Sequence, residues 1–216
     1  MTGTVVTVGT FDGIHRGHQA VVTEVVRKAR GAGLEGVLVT FDPHPLAVVN
    51  PAAAPQLLTL PDEKRELLAR TGLDRVELLP FTPELARLGP EEFLRDVLRT
   101  GYAMHDLVLG YDHGFGRSRS GDVEAVRRIG ARDGFGVDVV DAVRDDGQPI
   151  SSTVIRAAVA HGDLAAAERW LGRPHSLRGV VERGVGRGRT IGVPTLNLAP
   201  PDPRKQIGRA SCRERV

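Results

Sequence analysis

Short apolar runs alternate with segments of helical period from the start of the chain. Residues 4–9, 36–41, 75–79, 106–110 and 136–142 are rich in Val, Leu and other strand formers and read as strands. Between them, apolar positions recurring every three to four residues predict helices over 15–30, 62–71, 84–100 and 123–133. Parallel strands need long crossover connections, so regular strand–helix alternation predicts an α/β fold: a doubly wound parallel sheet with helices on both faces. Ligands of such sheets sit beyond the C-terminal strand ends, where loops and helix N-termini gather.

After the fifth strand the spacing predicts two more helices, 152–160 and 164–171, separated by the stop signal His161-Gly162-Asp163. Gly172-Arg173-Pro174 then interrupts the pattern, and from Leu177 the chain turns short-period and glycine-punctuated. These changes predict a first domain over 1–175 and a β-like fragment of a second over 176–199. Residues 200–216 read as a tail without strand signals.

Composition narrows the class. A chain of 216 residues with 41% hydrophobic positions has enough apolar side chains for a sizeable core. No apolar run approaches the length of a membrane span, and no basic-then-apolar leader precedes the first strand, so no membrane association is expected. The single cysteine, Cys212, has no internal disulfide partner, which fits a reducing, cytoplasmic setting. Net charge is +2, with the excess at one end: residues 178–216 hold nine basic and three acidic side chains, the remainder twenty and twenty-four. That basic end lacks aromatic stacking platforms, so no nucleic-acid partner is expected.

Four segments at predicted strand or helix ends carry candidate chemistry. Gly9-Thr-Phe-Asp-Gly-Ile-His-Arg-Gly-His18 follows the first strand. Gly13 and Gly17 permit tight turns and close approach of a polyanion, and His15 and His18 share a helix face beside its N-terminus. Taken alone, a glycine-rich turn with two exposed histidines is the competing reading. The helix dipole disfavours a protonated histidine there, whereas a bound triphosphate favours one. Phe41-Asp42-Pro43-His44-Pro45 follows the second strand, with two prolines stiffening the chain where it leaves the sheet. By itself it fits a rigid loop as well as a site.

The third segment, Gly110-Tyr-Asp112-His113-Gly-Phe115-Gly116-Arg117-Ser-Arg119, joins glycines to two arginines suited to phosphate. A plain surface loop is its alternative. The fourth, Ser151-Ser152-Thr153-Val-Ile-Arg156, opens a helix with an N-cap serine and places a guanidinium one turn in. A capped helix with a surface arginine is its alternative.

The first and fourth segments, in this order, resemble the signatures of the HxGH nucleotidyltransferases. With Phe11-Asp12-Gly13, Phe-Asp-Pro-His-Pro and Gly-x-Asp-x-x-Phe-Gly, the chain resembles bacterial bifunctional riboflavin kinase/FAD synthetases over residues 4 to 172. The resemblance implies a Rossmann-like sheet and transfer of AMP from ATP to FMN, releasing pyrophosphate and forming FAD, with Mg2+ as the metal. It implies catalytic roles for His15, His18 and Arg156. It assigns ATP and flavin binding to Gly9, Phe11, Asp12, Gly13, Gly17, Phe41, Asp42, Pro43, Asp112, Phe115, Gly116, Arg117, Ser151, Ser152 and Thr153. Relatives commonly carry phenylalanine where this chain has His113. The adenylyltransferase metal ligands are not readable.

Residues 177–197 also resemble the opening of the fused riboflavin kinase domain, whose Pro-Thr-Ala-Asn pattern implies ATP and magnesium contacts for Thr195 and Asn197; Leu196 stands in place of the alanine. The likeness is expected to end at Ala199, with a foreign stretch from about Lys205. Adenylyl transfer without riboflavin kinase activity is therefore expected of this chain, and both activities of a longer parent. The rivals are an HxGH enzyme with another phosphate acceptor and a nucleotide- or flavin-binding module without catalysis.

Overall fold

In the computed structural model, which describes residues 3–111, 123–183, 192, 197–205 and 207, β1 (Thr4–Val8), β2 (Glu35–Asp42), β3 (Arg75–Pro80), β4 (Met104–Gly110) and β5 (Gly136–Val140) form one sheet. Their order is β3-β2-β1-β4-β5 and every pairing is parallel. The predicted doubly wound architecture is therefore present. Its strand order reverses between β1 and β4, which makes the loops after these two strands the switch point.

Alternation along the strands divides the core into two layers. Val6, Val8, Val37, Val39, Leu107 and Leu109 lie on one face with Phe93, Leu94, Leu98, Val126 and Ile129. Val5, Leu38 and Val108 lie on the other with Val21, Val22, Val25 and Leu68. The first layer takes its helical residues from α7 (Val123–Asp133) and from a stretch running through α5 (Pro90–Glu92), a π-helical segment (Phe93–Arg99) and α6 (Thr100–Tyr102). The second takes them from α1 (Arg16–Ala32) and α3 (Pro61–Leu68). β1, between the layers, is buried at every position, which suits its run of Thr and Val.

The helix expected over 84–100 is broken. A short α4 (Pro83–Arg87) ends at Leu88, which is extended at φ −62°, ψ 133°. The chain restarts at Gly89-Pro90 because a residue before proline is pushed out of the helical region and proline suits a helix start. A short α2 (Pro45–Val49) follows β2, within a stretch that had been assigned no helix. A second unassigned element is the hairpin of β6 (Arg144–Asp145) and β7 (Gln148–Pro149). Its turn residues, Asp146 and Gly147, both have positive φ, the geometry that Asp-Gly favours.

The two later helices stand as expected. Gly162 ends α8 (Ser152–His161) in the left-handed region at φ 80°, and Asp163 caps α9 (Leu164–Leu171) by accepting Ala166 N–H. Their apolar faces close a third cluster, Ile155, Val159, Ala167 and Leu171 with Leu58 and Ile150. Beyond it, β8 (Val180–Glu182) pairs antiparallel with β9 (Asn197–Ala199), and a 3-10 turn (Pro203–Lys205) follows.

Gly130 is where α7 meets β5: a Cβ there comes within 2.8 Å of the Phe135 carbonyl oxygen and 2.9 Å of the Val137 side chain. Gly130→Ala is expected to cost about 1–3 kcal/mol of stability by overpacking, read as a lower urea midpoint at unchanged slope.

Candidate active site

The loop from β1 to α1 owes its shape to three departures from ordinary backbone within four residues. Phe11, Gly13 and Ile14 have φ of 45°, 84° and 42°. At φ 84° Gly13 sits where any L side chain is strained, and a Cβ there also lies 2.8 Å from the Leu58 side chain. Phe11 and Ile14 are bulky side chains in the left-handed region, a conformation that costs of order 1–3 kcal/mol each and is held only by surrounding structure. Both are buried in the layer under α1.

This loop delivers His15 to the N-cap of α1, where its Nδ1 accepts the His18 N–H at 3.3 Å. The two imidazoles stack at 3.6 Å between centroids, and Phe11 tilts against His18 at 4.9 Å. Gly17 makes the stack feasible, since a Cβ there approaches the His15 ring to 3.1 Å. The spacing His-x-Gly-His thus encodes one ring lying on another.

Both rings are held neutral at pH 7. His15 is pushed down to about 4, first by burial and then by Arg156 and Arg173, against an opposing pull from Asp12. His18 is lowered well below its ordinary value by burial, His15, Lys64 and Arg156. Before any anion arrives, burial and the neighbouring cations therefore favour neutral imidazole at both positions. His18 Nδ1 is buried and makes no hydrogen bond among the described residues.

Asp12 ties this loop to the rest of the rim. Its carboxylate accepts Leu58 N–H at 3.0 Å, Thr59 N–H at 2.9 Å, the Thr59 hydroxyl at 3.2 Å and Arg156 Nη2 at 2.7 Å. Its carbonyl oxygen accepts the Ser152 hydroxyl at 2.8 Å. The N-terminus of α8 therefore docks on the His-x-Gly-His loop, and Arg156 Nε is fixed in turn by the Gln56 carbonyl oxygen at 2.7 Å. Ser151 is the N-cap of α8, accepting Val154 N–H; Thr153 is exposed.

Three further cations or donors escaped the sequence reading. Lys64, itself buried, donates to the Thr10 carbonyl oxygen at 2.6 Å and to Thr40 Oγ1 at 3.1 Å, and burial lowers its pKa. Arg173 reaches the Gly13 carbonyl oxygen at 2.7 Å and that of Ile14 at 3.3 Å. Gln19 joins the Ile14 and Leu171 carbonyl oxygens, each at 3.0 Å. Arg173 had a faint signal, as a basic residue just past a helix end. Lys64 had none, since a lysine in an amphipathic helix normally faces water.

The other expected residues fall into place unevenly. Gly9, at the end of β1, donates its N–H to the Val39 carbonyl oxygen at 3.1 Å, and a Cβ there would meet the Phe11 ring. Phe41 packs edge-on against Phe81 at 5.2 Å, while Asp42 and Pro43 are exposed at the rim. His44 caps α2 by accepting Leu46 N–H at 3.1 Å, and burial leads in pushing it down to about 4. Asp112, His113, Phe115, Gly116, Arg117, Arg119 and Thr195 lie outside the described residues. Asn197 is exposed in β9, opposite Glu182. No group of three or more potential metal ligands occurs among the described residues.

A doubly wound sheet with a stacked His-x-Gly-His pair at its switch point, and a second helix start docked beside it, defines an α/β protein of the HxGH type. Residues 1–154 match the family described as FAD synthetase, and this chain belongs to that family. Residues 171–210 match riboflavin kinase. The likeness therefore continues past Ala199, where it had been expected to stop, and takes in the turn at Pro203–Lys205.

The bifunctional riboflavin kinase/FMN adenylyltransferase of Pseudomonas fluorescens is 37% identical over 196 residues, covering 91% of this chain and 63% of that protein. Its namesake from Listeria monocytogenes is 37% identical over 195 residues, covering 90% and 62%. This chain thus spans about 63% of the length of the curated relatives it matches. A crystal structure from Streptococcus pneumoniae described as a macrolide-efflux protein superposes with a TM-score of 0.80 at 34% identity, covering 93% of this chain and 65% of that one. No helix among the described residues of this chain is long and apolar enough to cross a membrane.

The lowered histidine pKa values make stability depend on pH. Above the ordinary value near 6.5 both states leave His15 neutral; as pH falls towards 4 only the unfolded state takes up the proton. Stability is therefore expected to fall between about pH 6.5 and 4, with up to about 3 kcal/mol of the loss from His15, whose own share levels off below that range. Urea midpoints of wild type and His15→Asn across that range check it: the variant, which keeps a capping acceptor, is expected to show a shallower decline.

Proposed function

We propose that this chain makes FAD by moving the adenylyl group of ATP onto the phosphate of FMN. A phosphate oxygen of FMN attacks the α-phosphorus of ATP, the bond to the β-phosphate oxygen breaks, and pyrophosphate leaves with the electron pair. No protein nucleophile is needed, because the barrier is mainly one of position and charge. The observation that carries this reading is the stacked, neutral His15–His18 pair, joined through Asp12 to Ser152 and Arg156, in a chain of the FAD synthetase family.

In this reading His15 and His18 serve the ATP phosphates as neutral hydrogen-bond donors. The unpartnered Nδ1 of His18 supports this, since a buried polar atom without a partner fits a ligand contact. Arg156, oriented by Asp12 and Gln56, faces the charge that builds on pyrophosphate. Asp12 itself is an anchor: both its oxygens are occupied by protein donors, so orientation of ribose, flavin or metal passes to Asp42, which is exposed at the rim, and to Asp112, which lies outside the described residues.

Magnesium, which supplies charge neutralisation for the triphosphate, is held mostly by phosphate oxygens and one or two carboxylates in such sites. Asp42, a carboxylate exposed at the rim, is a side chain placed for that part. A longer chain completing the riboflavin kinase match is expected to phosphorylate riboflavin as well.

His18→Ala is expected to lower FAD formation by roughly a hundredfold or more while FMN binding is kept. Flavin fluorescence, which drops as FAD forms, and pyrophosphate release measure it. Turnover near wild type removes His18 from the mechanism. Pyrophosphate release with a different phosphorylated acceptor, or tight binding of ATP and FMN without turnover, supports the corresponding rival.

A further inference from the structure

Two segments far apart in sequence meet behind the Asp12 carboxylate. Leu57 N–H donates to the Arg204 carbonyl oxygen at 2.7 Å. Lys205 Nζ donates to the Leu58 carbonyl oxygen and, at 2.7 Å, to Glu63 Oε2, which also accepts Leu60 N–H at 2.9 Å. Lys205 is only 2% exposed, so its charge has left water, a cost offset only where a carboxylate and a carbonyl face it. Ile207 packs against the apolar cluster that contains Leu58.

The same turn, residues 57–60, is what holds the site. Leu58 and Thr59 give Asp12 its backbone donors, and the Thr59 hydroxyl also accepts the Gly13 N–H at 3.0 Å. Asp12 then orients Arg156 at 2.7 Å. Gripped from behind by Lys205 and Arg204, the turn grips the His-x-Gly-His loop in front. Arg204, bonded to Asp202, also feels Asp42, and after burial it is among the charges that lower His44. Its charge therefore acts on the Phe41-Asp42-Pro43-His44-Pro45 segment.

We infer that Pro203–Lys205 forms a positioning strap for the adenylyl-transfer site, and that Lys205 is its anchor. Resting on the adenylyl-transfer reading, the inference makes Lys205 a positioning residue that acts through Leu58, Asp12 and Arg156. The strap lies inside the stretch that matches riboflavin kinase. Changes in that part of the chain thus reach the transferase site through direct contacts, which links two modules otherwise separate in sequence.

The test compares wild type, Lys205→Met and Lys205→Arg by steady-state FAD formation and by amide hydrogen exchange at Leu58 and Thr59. Lys205→Met is expected to lower kcat roughly tenfold or more, as displacement of a catalytic group does, with KM for FMN within about twofold. Exchange at both amides is expected to quicken, and Lys205→Arg to restore both readings. A folded Lys205→Met with wild-type kcat, or with unchanged exchange, overturns the strap, as does a loss that arginine fails to rescue. If Lys205→Met does not fold, Glu63→Gln, which keeps an acceptor and removes only the charge, is read in the same two ways. Should wild type make no FAD, the adenylyl-transfer reading falls, while exchange at Leu58 and Thr59 still decides whether Lys205 holds the turn.

Discussion

One buried carboxylate holds the rim of this sheet together. Asp12 is 2% exposed, and an ionised carboxylate in such a place is tolerable only when its oxygens are saturated. Four donors do this, drawn from two elements far apart in sequence: the turn before α3 and the first helix after β5. Its neighbour, the Asp12 carbonyl oxygen, takes the Ser152 hydroxyl as well. The apolar contacts of the α8–α9 pair specify proximity but not the angle of Arg156, which the Asp12 carboxylate and the Gln56 carbonyl oxygen set. Asp12 turns proximity into orientation.

The His-x-Gly-His loop depends on the same focus. Left-handed backbone at Phe11 and Ile14 is unfavourable by itself, and burial of both side chains under α1 offsets it. The shape that results lets His15 cap its own helix and lie flat on His18. Strain, stacking and neutrality are thus one arrangement: the rings are buried because the loop folds inwards, and they are neutral because they are buried.

How much of this was legible in the sequence divides along physical lines. Strand positions and the sheet class follow from hydrophobic period, and helix ends follow from caps such as Ser151 and the Gly162-Asp163 pair, because those signals are local. The break at Gly89-Pro90 and the Asp146-Gly147 hairpin were also local signals, outweighed by a helical pattern in one case and passed over in the other. The site motifs stood out by composition. Their wiring did not: that Asp12 faces Arg156 across 144 residues, or that Lys64 serves Thr10, is decided by tertiary packing, and no spacing rule reports it. Lys205 is the extreme case, lying in a stretch whose composition suggested no role and yet almost wholly buried.

The distribution of charge gives the arrangement its direction. Lys64, Arg156 and Arg173 surround the loop, and each is tied to a protein acceptor: Thr10, Gln56 and Asp12, Gly13 and Ile14. The carbonyl oxygens of Thr10, Gly13 and Ile14 are thereby taken by cations or amides, so the negative ends of the loop's peptide dipoles are already compensated. Among the described residues Asp12 is the carboxylate bonded to one of these cations, Asp42 acts on Lys64 and Glu63 on Arg173 from further off, and the two imidazoles add no charge of either sign. The cations around the loop are thus already fixed in place. An anion binding there would find its counter-charges oriented in advance, and a site of that kind stabilises moving negative charge without spending binding energy on rearranging itself.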